Sequence, residues 1–151
     1  MNAQSRNLLL YWLPAFTWAA LIFLFSTGEF STATTGHLLR PFLEWLVGPI
    51  PEPRFEFIHL LVRKTAHVTV YATLSTLWFR ARRGPRSGWQ PSWALLALLV
   101  SMLVALSDEF HQSLVPSRTG SPWDVLLDSF GALLAQAVIA LFARRGTHSP
   151  V

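Results

Sequence analysis

The apolar residues of this chain are grouped into four long runs that are separated by polar segments. The runs lie at about residues 8–26, 58–79, 92–110 and 122–143, and the first of them has no charged side chain. About 20 apolar residues in a helix span the ~30 Å hydrocarbon core of a bilayer. The pattern therefore predicts an all-α fold, an integral membrane bundle of four transmembrane helices in a single domain at residues 1–151.

The polar segment between the first two runs contains a second kind of pattern. In HLLRPFLEWLVG, residues 37–48, apolar and aromatic side chains recur along one side and His37, Arg40 and Glu44 take the other. This spacing predicts an amphipathic helix that lies in the membrane interface, in the first outer loop. The next segment, PIPEPRFEF at residues 49–57, is predicted to be irregular and extended. Pro14 is expected to kink the first helix.

The composition supports a membrane location. The chain is 52% hydrophobic and 13% charged, against roughly 25% charged in an average soluble domain. Most of its tryptophans fall at the ends of apolar runs, as in the aromatic belts of membrane proteins: Trp12, Trp45, Trp78, Trp89, Trp93 and Trp123. The sequence contains no cysteine, which excludes disulfides, thiol nucleophiles, zinc–thiolate sites and iron–sulfur clusters.

The basic residues predict an orientation rather than a nucleic-acid surface. The net charge is +4, and the arginines are clustered beside apolar runs, at residues 80–86 and at Arg144 and Arg145. Short basic loops remain on the cytoplasmic side of a membrane. Both termini and the 80–91 loop are therefore predicted inside, and the 27–57 and 107–122 loops outside. No nucleic-acid partner is expected.

With this topology, charged and polar side chains from three helices fall at the outer end of the bundle. Helical spacing predicts a polar face on each of three helices. The second helix carries Lys64, His67 and Tyr71, and the fourth carries Asp124, Asp128 and Gly131. On the third, Asp108 shares a face with His111 and Gln112, while Glu109 also lies near Gln112. Ionisable residues within a membrane usually face the bundle interior and mark function. Small residues near Gly131 would allow the helices a close approach.

Several kinds of site could use such a set. The charged residues could form a structural lock, a set of salt bridges that holds the helices together. It would pair Lys64 and Arg118 with the carboxylates of Asp108, Glu109, Asp124 and Asp128, although these carboxylates outnumber the nearby cations. His67 adds an imidazole, a group whose unperturbed pKa suits proton transfer or metal ligation. A metal site would use His67, His111 and carboxylates, but H-x-x-x-H and H-E-x-x-H spacings are absent, so no metal and no cofactor are predicted. A serine hydrolase is disfavoured because no G-x-S-x-G motif occurs.

Four motifs in a fixed order carry a resemblance. They are K-x-x-H-x-x-x-Y (64–71), D-E-x-x-Q (108–112), P-x-R (116–118) and D-x-x-x-[ND]-x-x-G (124–131). In this order they resemble the VanZ-like family of small bacterial integral membrane proteins, over about residues 60–135. Two positions depart: the family pattern favours asparagine where this chain has Asp128, and glycine where it has Ala135.

The resemblance implies a protein of the bacterial inner membrane, and the member that names the family is associated with resistance to the glycopeptide teicoplanin. We therefore expect a polar pocket at the extracytoplasmic face that binds or modifies a lipid-linked or cell-wall ligand, with the lipid bilayer as the other partner. The expected ligand-binding residues are Lys64, Tyr71, Asp108, Gln112, Arg118, Asp124 and Asp128. His67 and Glu109 would be catalytic if the protein is an enzyme. The alternative is a non-enzymatic interaction protein with a charged interhelical lock. The reaction and the oligomeric state stay open.

Overall fold

The computed structural model describes residues 6–27, 32–116, 118 and 120–145. Over these residues the chain forms five α-helices and no strand, which confirms the all-α prediction. A π-helical turn, Leu8–Trp12, leads into the first of the α-helices. They are α1 (Leu13–Phe25), α2 (Thr32–Val47), α3 (Glu52–Arg83), α4 (Pro91–Ser113) and α5 (Pro122–Arg145).

Helix α3 begins earlier than the apolar pattern predicts. Residues 49–57 were expected to be extended, but α3 starts at Glu52, directly after Pro51, and Pro53 lies in its first turn. The amides of a first turn have no partner within the helix, so a proline that lacks an N–H is tolerated there. The prediction of an irregular segment is therefore wrong for residues 52–57, because these prolines start a helix.

Pro14 also lies in a first turn. The α-helical part of the first apolar run begins at Leu13, and the π-helical turn occupies Leu8–Trp12. A π-helical turn adds a residue to the hydrogen-bonding ring and locally changes the helical register. The first apolar run therefore departs from α-helical geometry before Pro14, in the π-helical turn Leu8–Trp12.

Helix α3 is the centre of the bundle. It packs along α4 and α5, which also pack on each other, while α1 packs on α3 and α4. The core contains large side chains of α3, such as Leu74 and Phe79, against small side chains of α4, such as Ala97 and Ala105. Gly131 of α5 lies so close to α3 that a Cβ there would be 2.5 Å from the backbone oxygen of Val68. This contact agrees with the predicted close approach of small residues.

Two helices, at Pro91–Ser113 and Pro122–Arg144, are long and apolar enough to cross a membrane. Helix α3 has 32 residues, about 48 Å at 1.5 Å per residue, but it carries charges within its apolar run. Many large apolar side chains of α4 and α5 are exposed, including Leu103, Phe110 and Phe142. Exposed apolar surface of this extent is typical of proteins that contact lipid or a partner.

Helix α2 confirms the predicted amphipathic helix and extends it to Thr32–Val47, with Pro41 inside it. Its apolar side is exposed: Leu38 by 74% and Trp45 by 80%. On its polar side, Arg40 donates to Glu44 over 3.1 Å and pairs with Glu52 of α3. The structure therefore presents one apolar side outward, as an interfacial helix requires.

Candidate functional site

Two pairs of side chains connect α3 to α5 at the end of the bundle where α5 begins. Lys64 forms a salt bridge with Asp124, and the Nδ1 atom of His67 is 3.0 Å from Oδ1 of Asp128. Asp124 and Asp128 are one helical turn apart, as are Lys64 and His67, so the two pairs stack along the α3–α5 contact. The convergence expected from the helical spacing is therefore present for these four residues.

Helix α4 adds polar side chains next to these two pairs. The polar side chains that meet here from α3, α4 and α5 are called the polar layer below. The Tyr71 hydroxyl donates to Oδ2 of Asp108 over 3.2 Å, and the Gln112 amide donates to the same oxygen over 3.1 Å. The carboxylate of Glu109 accepts from the backbone N–H of Ser121 over 2.7 Å. Ser121 directly precedes α5, so this bond ties the end of α4 to the start of α5.

Three carboxylates of the layer are almost completely buried. The exposed fraction is 4% for Asp108, 5% for Glu109 and 0% for Asp128. Each keeps one oxygen that has no hydrogen-bond partner among the described residues: Oδ1 of Asp108, Oε1 of Glu109 and Oδ2 of Asp128. A buried acceptor without a partner is costly, and a buried charge without one is more so. The layer therefore has unused capacity to bind protons or cations.

One subset of these residues has the geometry of a metal-binding group. His67, Glu109 and Asp128 each offer a ligand atom, and these atoms lie within 4.8 Å of one another. The sequence argument against a metal depended on motifs in which both histidines belong to one helix. Here the three ligands come from three helices, so the absence of those motifs does not bear on this group.

A cavity of about 200 Å³ opens beside the polar layer. Its polar lining comes from α3, α4 and the loop after α4: Arg63, His67, Tyr71, Asp108, Gln112 and Arg118. Its other wall is largely apolar and comes from the end of α1 and from α3: Ile22, Phe25, Ala66 and Val70. Ser26 and Thr35 add two hydroxyls. The cavity therefore joins a charged side to an apolar side.

The predicted site residues thus divide into two groups. Five of them line the cavity: His67, Tyr71, Asp108, Gln112 and Arg118. Lys64, Glu109, Asp124 and Asp128 do not line it and lie in the polar layer behind it, where Lys64 pairs with Asp124. Their ligand-binding or catalytic roles stay predictions.

Two arginines give the cavity its positive charge. Arg118 donates through Nη2 to the backbone oxygen of Phe25 over 2.8 Å, which connects the loop after α4 to the end of α1. Burial, followed by the nearby charge of Arg63, lowers the pKa of the Arg118 guanidinium. Arginine nevertheless remains charged in proteins. The cavity therefore holds two permanent cations that are close enough to repel each other.

Sequence reasoning missed Arg63. It lies about 100° from Lys64 around the helix, a position from which a long cationic side chain can extend to the lipid headgroups, but in the structure it lines the cavity. Arg63 faces protein because α1 also packs on α3, which gives α3 a second face in contact with the bundle. A sequence without contacts does not show which face that is.

Two other polar contacts were also missed. His111 lies 3.0 Å from the hydroxyl of Ser26 and joins α4 to α1, outside the lining of the cavity. Deeper in the bundle, the Gln136 amide donates to the hydroxyl of Ser75 over 2.8 Å. Gln136 continues the helical stripe of Asp124 and Asp128, and Ser75 is one turn beyond Tyr71. Extending the two predicted faces by one or two turns would have found this pair.

Comparison with known protein families decides the identity of the chain. The family VanZ/LLP1 matches residues 11–143, most of the sequence. The chain belongs to the VanZ/LLP1 family. The match extends beyond residues 60–135, over which the motifs resemble the family, and includes the first apolar run. Searches of the curated proteins and of the solved structures found no match. Membership of VanZ/LLP1 and the two long apolar helices together indicate a membrane protein.

Proposed function

We propose that this VanZ/LLP1 protein spans the bacterial inner membrane with four helices and binds a lipid-linked cell-envelope ligand at its extracytoplasmic end. The observation that carries the proposal is the cavity, in which Arg63 and Arg118 face the same space as the apolar side chains of Ile22 and Phe25. The four spans would be the first apolar run with α1, followed by α3, α4 and α5.

The lining of the cavity favours an amphiphilic anion. Guanidinium groups bind phosphate through charge-assisted hydrogen bonds, which are stronger than those between neutral groups. A phosphate between Arg63 and Arg118 would also relieve their repulsion. The hydrocarbon part of the ligand would lie along Ile22 and Phe25, next to the bilayer. Tyr71 and Gln112 would hold the Asp108 carboxylate in place.

The proposed orientation follows from the distribution of arginines along α3. The end of α3 that is far from the cavity carries Arg80, Arg82 and Arg83, and the short loop after it carries Arg86. Under the positive-inside rule this end is cytoplasmic. The cavity, at the other end of the bundle, would then face the compartment in which cell-wall precursors are exposed. This orientation fits a role in glycopeptide resistance of the teicoplanin type.

A structural lock is the second candidate, and the salt bridge between Lys64 and Asp124 favours it. A partly exposed ion pair of this kind contributes roughly 1 kcal/mol or less, since 41% of the Lys64 side chain is exposed. The lock explains this pair, but it does not explain two arginines around a half-apolar cavity. We therefore assign Lys64 and Asp124 to supporting the bundle.

The test is a binding measurement on the purified full-length protein in detergent. Polyprenyl phosphate would be titrated and followed by tryptophan fluorescence, with the uncharged polyprenol of equal length as the ligand control. Arg63→Gln and Arg118→Gln should each weaken binding by about tenfold or more, because a hydrogen bond to a charged group contributes about 1.5–3 kcal/mol. The matched control Arg86→Gln, outside the cavity, should bind as the wild type does.

Two results would contradict the proposal. Equal affinity for polyprenyl phosphate and polyprenol would show that the cavity does not recognise the anion. Unchanged binding in both cavity variants, which must first be shown to be folded by size-exclusion chromatography, would place the ligand elsewhere.

A further inference from the structure

We propose that His67, Glu109 and Asp128 form a binding site for a divalent transition-metal cation, with Zn²⁺ as the fitting representative. The proposal is independent of the lipid ligand, because it rests on the polar layer behind the cavity. Each of the three residues belongs to a different helix of the central α3–α4–α5 group, and their ligand atoms lie within 4.8 Å of one another.

The distances suit a metal ion. Nδ1 of His67 and Oδ1 of Asp128 are 3.0 Å apart, close to the roughly 3.3 Å that separates two ligand atoms on a tetrahedral zinc ion with bonds of about 2.0 Å. The ion would replace the proton that the histidine and the carboxylate share. A small rotation of Glu109 would complete a set of one nitrogen and two carboxylate ligands, a combination that Zn²⁺ and Mn²⁺ accept.

The buried oxygens are the independent sign of a ligand. Glu109 is 5% exposed and Asp128 is 0% exposed, yet Oε1 of the first and Oδ2 of the second have no partner among the described side chains and backbone groups. Glu109 is held in place by the Ser121 amide through its other oxygen. Glu109 is therefore positioned by a backbone hydrogen bond while Oε1 stays unused, and Asp128 faces His67 through Oδ1 while Oδ2 stays unused.

The charges around the group also favour a bound cation. Lys64 is paired with Asp124, and Arg63 and Arg118 lie around the cavity with Asp108. His67 contacts Asp128, and its ligand atom lies within 4.8 Å of that of Glu109, so a single imidazole stands beside two buried carboxylates. Two buried carboxylates so close together repel strongly unless protons or a cation neutralise them. A divalent ion would balance both.

Three protein ligands leave at least one coordination position for water or for an oxygen of a bound ligand, as in catalytic rather than structural zinc sites. His67 also lines the cavity, so that position would be near the proposed ligand.

The experiment measures metal binding by the purified, metal-stripped full-length protein without added lipid. Zn²⁺ would be titrated by calorimetry, and bound metal would be counted by mass spectrometry after gel filtration. We expect about one Zn²⁺ per chain and a higher melting temperature with metal. Asp128→Asn and Glu109→Gln should each lower the affinity by about tenfold or more. The histidine control His111→Gln, outside the group, should bind as the wild type does.

The alternative is that the two carboxylates share a proton. In that case the wild type binds neither Zn²⁺ nor Mn²⁺, and Glu109→Gln raises the melting temperature without metal; this result would overturn the proposal. Equal metal affinity in wild type and Asp128→Asn would do the same. If Glu109→Gln does not fold, the wild type and Asp128→Asn still decide the question. Polyprenyl phosphate binding is measured separately, so failure of either proposal leaves the other to be judged alone.

Discussion

At the scale of single residues, helical spacing was enough to find most of the polar layer. Tyr71 and Gln112 do meet at Asp108, and His67 does meet Asp128. Spacing places a side chain on a face, but it does not show which partner on the neighbouring helix will be in contact. The pairing of Lys64 with Asp124, instead of with another carboxylate, depends on the relative heights of α3 and α5, which the structure supplies.

The role of the Lys64–Asp124 pair can be tested by exchanging its charges. Lys64→Asp and Asp124→Lys alone should each lower the melting temperature, because each places two like charges in contact. The double exchange should restore much of the loss, with a coupling of about 1 kcal/mol or less. Because neither residue lines the cavity, polyprenyl phosphate should bind the doubly exchanged protein as it binds the wild type.

Thermal unfolding followed by tryptophan fluorescence and the binding titration give the two readouts. Exchanging Arg40 and Glu44, 3.1 Å apart on α2, changes an ion pair away from the site and should leave polyprenyl phosphate binding as in the wild type. Restored stability with lost binding would contradict the assignment and would make Lys64 a direct ligand of the phosphate.

At the scale of elements, the apolar runs predicted which parts of the chain are helical, and their ends were less predictable. Helix α3 begins at Glu52 and ends at Arg83, while its apolar run covers about 58–79. Helical hydrogen bonding continues into polar sequence where a proline can start the first turn and where Gly84, at φ +60°, ends the last. The end of an apolar run marks where contact with lipid or core ends, and this residue need not be the one at which the helix ends.

The contact between α3 and α5 should be sensitive to the size of one residue. A Cβ at Gly131 would lie 2.5 Å from the backbone oxygen and 3.0 Å from the Cα of Val68. Backbone atoms cannot rotate away, so Gly131→Ala should force α3 and α5 apart. We expect a loss of about 1–3 kcal/mol, or roughly 3 to 10 °C in melting temperature for a chain of this size. The pairs His67–Asp128 and Lys64–Asp124 should lengthen with it.

Gly36 provides the matched glycine. It also lies inside a helix, but its nearest neighbour for a Cβ is the ring atom Cε1 of His59 at 3.4 Å, a side chain that can adjust. Gly36→Ala should therefore be close to neutral in the same unfolding measurement. Equal melting temperatures for Gly131→Ala and the wild type would contradict the described α3–α5 contact.

At the scale of the whole molecule, composition and hydropathy predicted an all-α membrane protein, and the fold and the family agree with that class. The cavity was less accessible to sequence reasoning. Part of its apolar wall comes from the end of α1, and its second cation is Arg63; neither belongs to the motifs that suggested a site. A cavity depends on how several segments pack, and the motifs did not include α1 or α2, which also line this one.

The proposed position of the polar layer and its cavity, at the extracytoplasmic end of a membrane-spanning bundle, can be measured directly. The sequence contains no cysteine, so single cysteines can report this directly. Ser113→Cys, at the end of α4, and Ser87→Cys, in the loop between α3 and α4, would be treated in intact cells with a maleimide that does not cross membranes. We expect labelling of Ser113→Cys in intact cells and of Ser87→Cys only after permeabilisation. Labelling of Ser87→Cys alone in intact cells would show the opposite orientation, with the cavity on the cytoplasmic side.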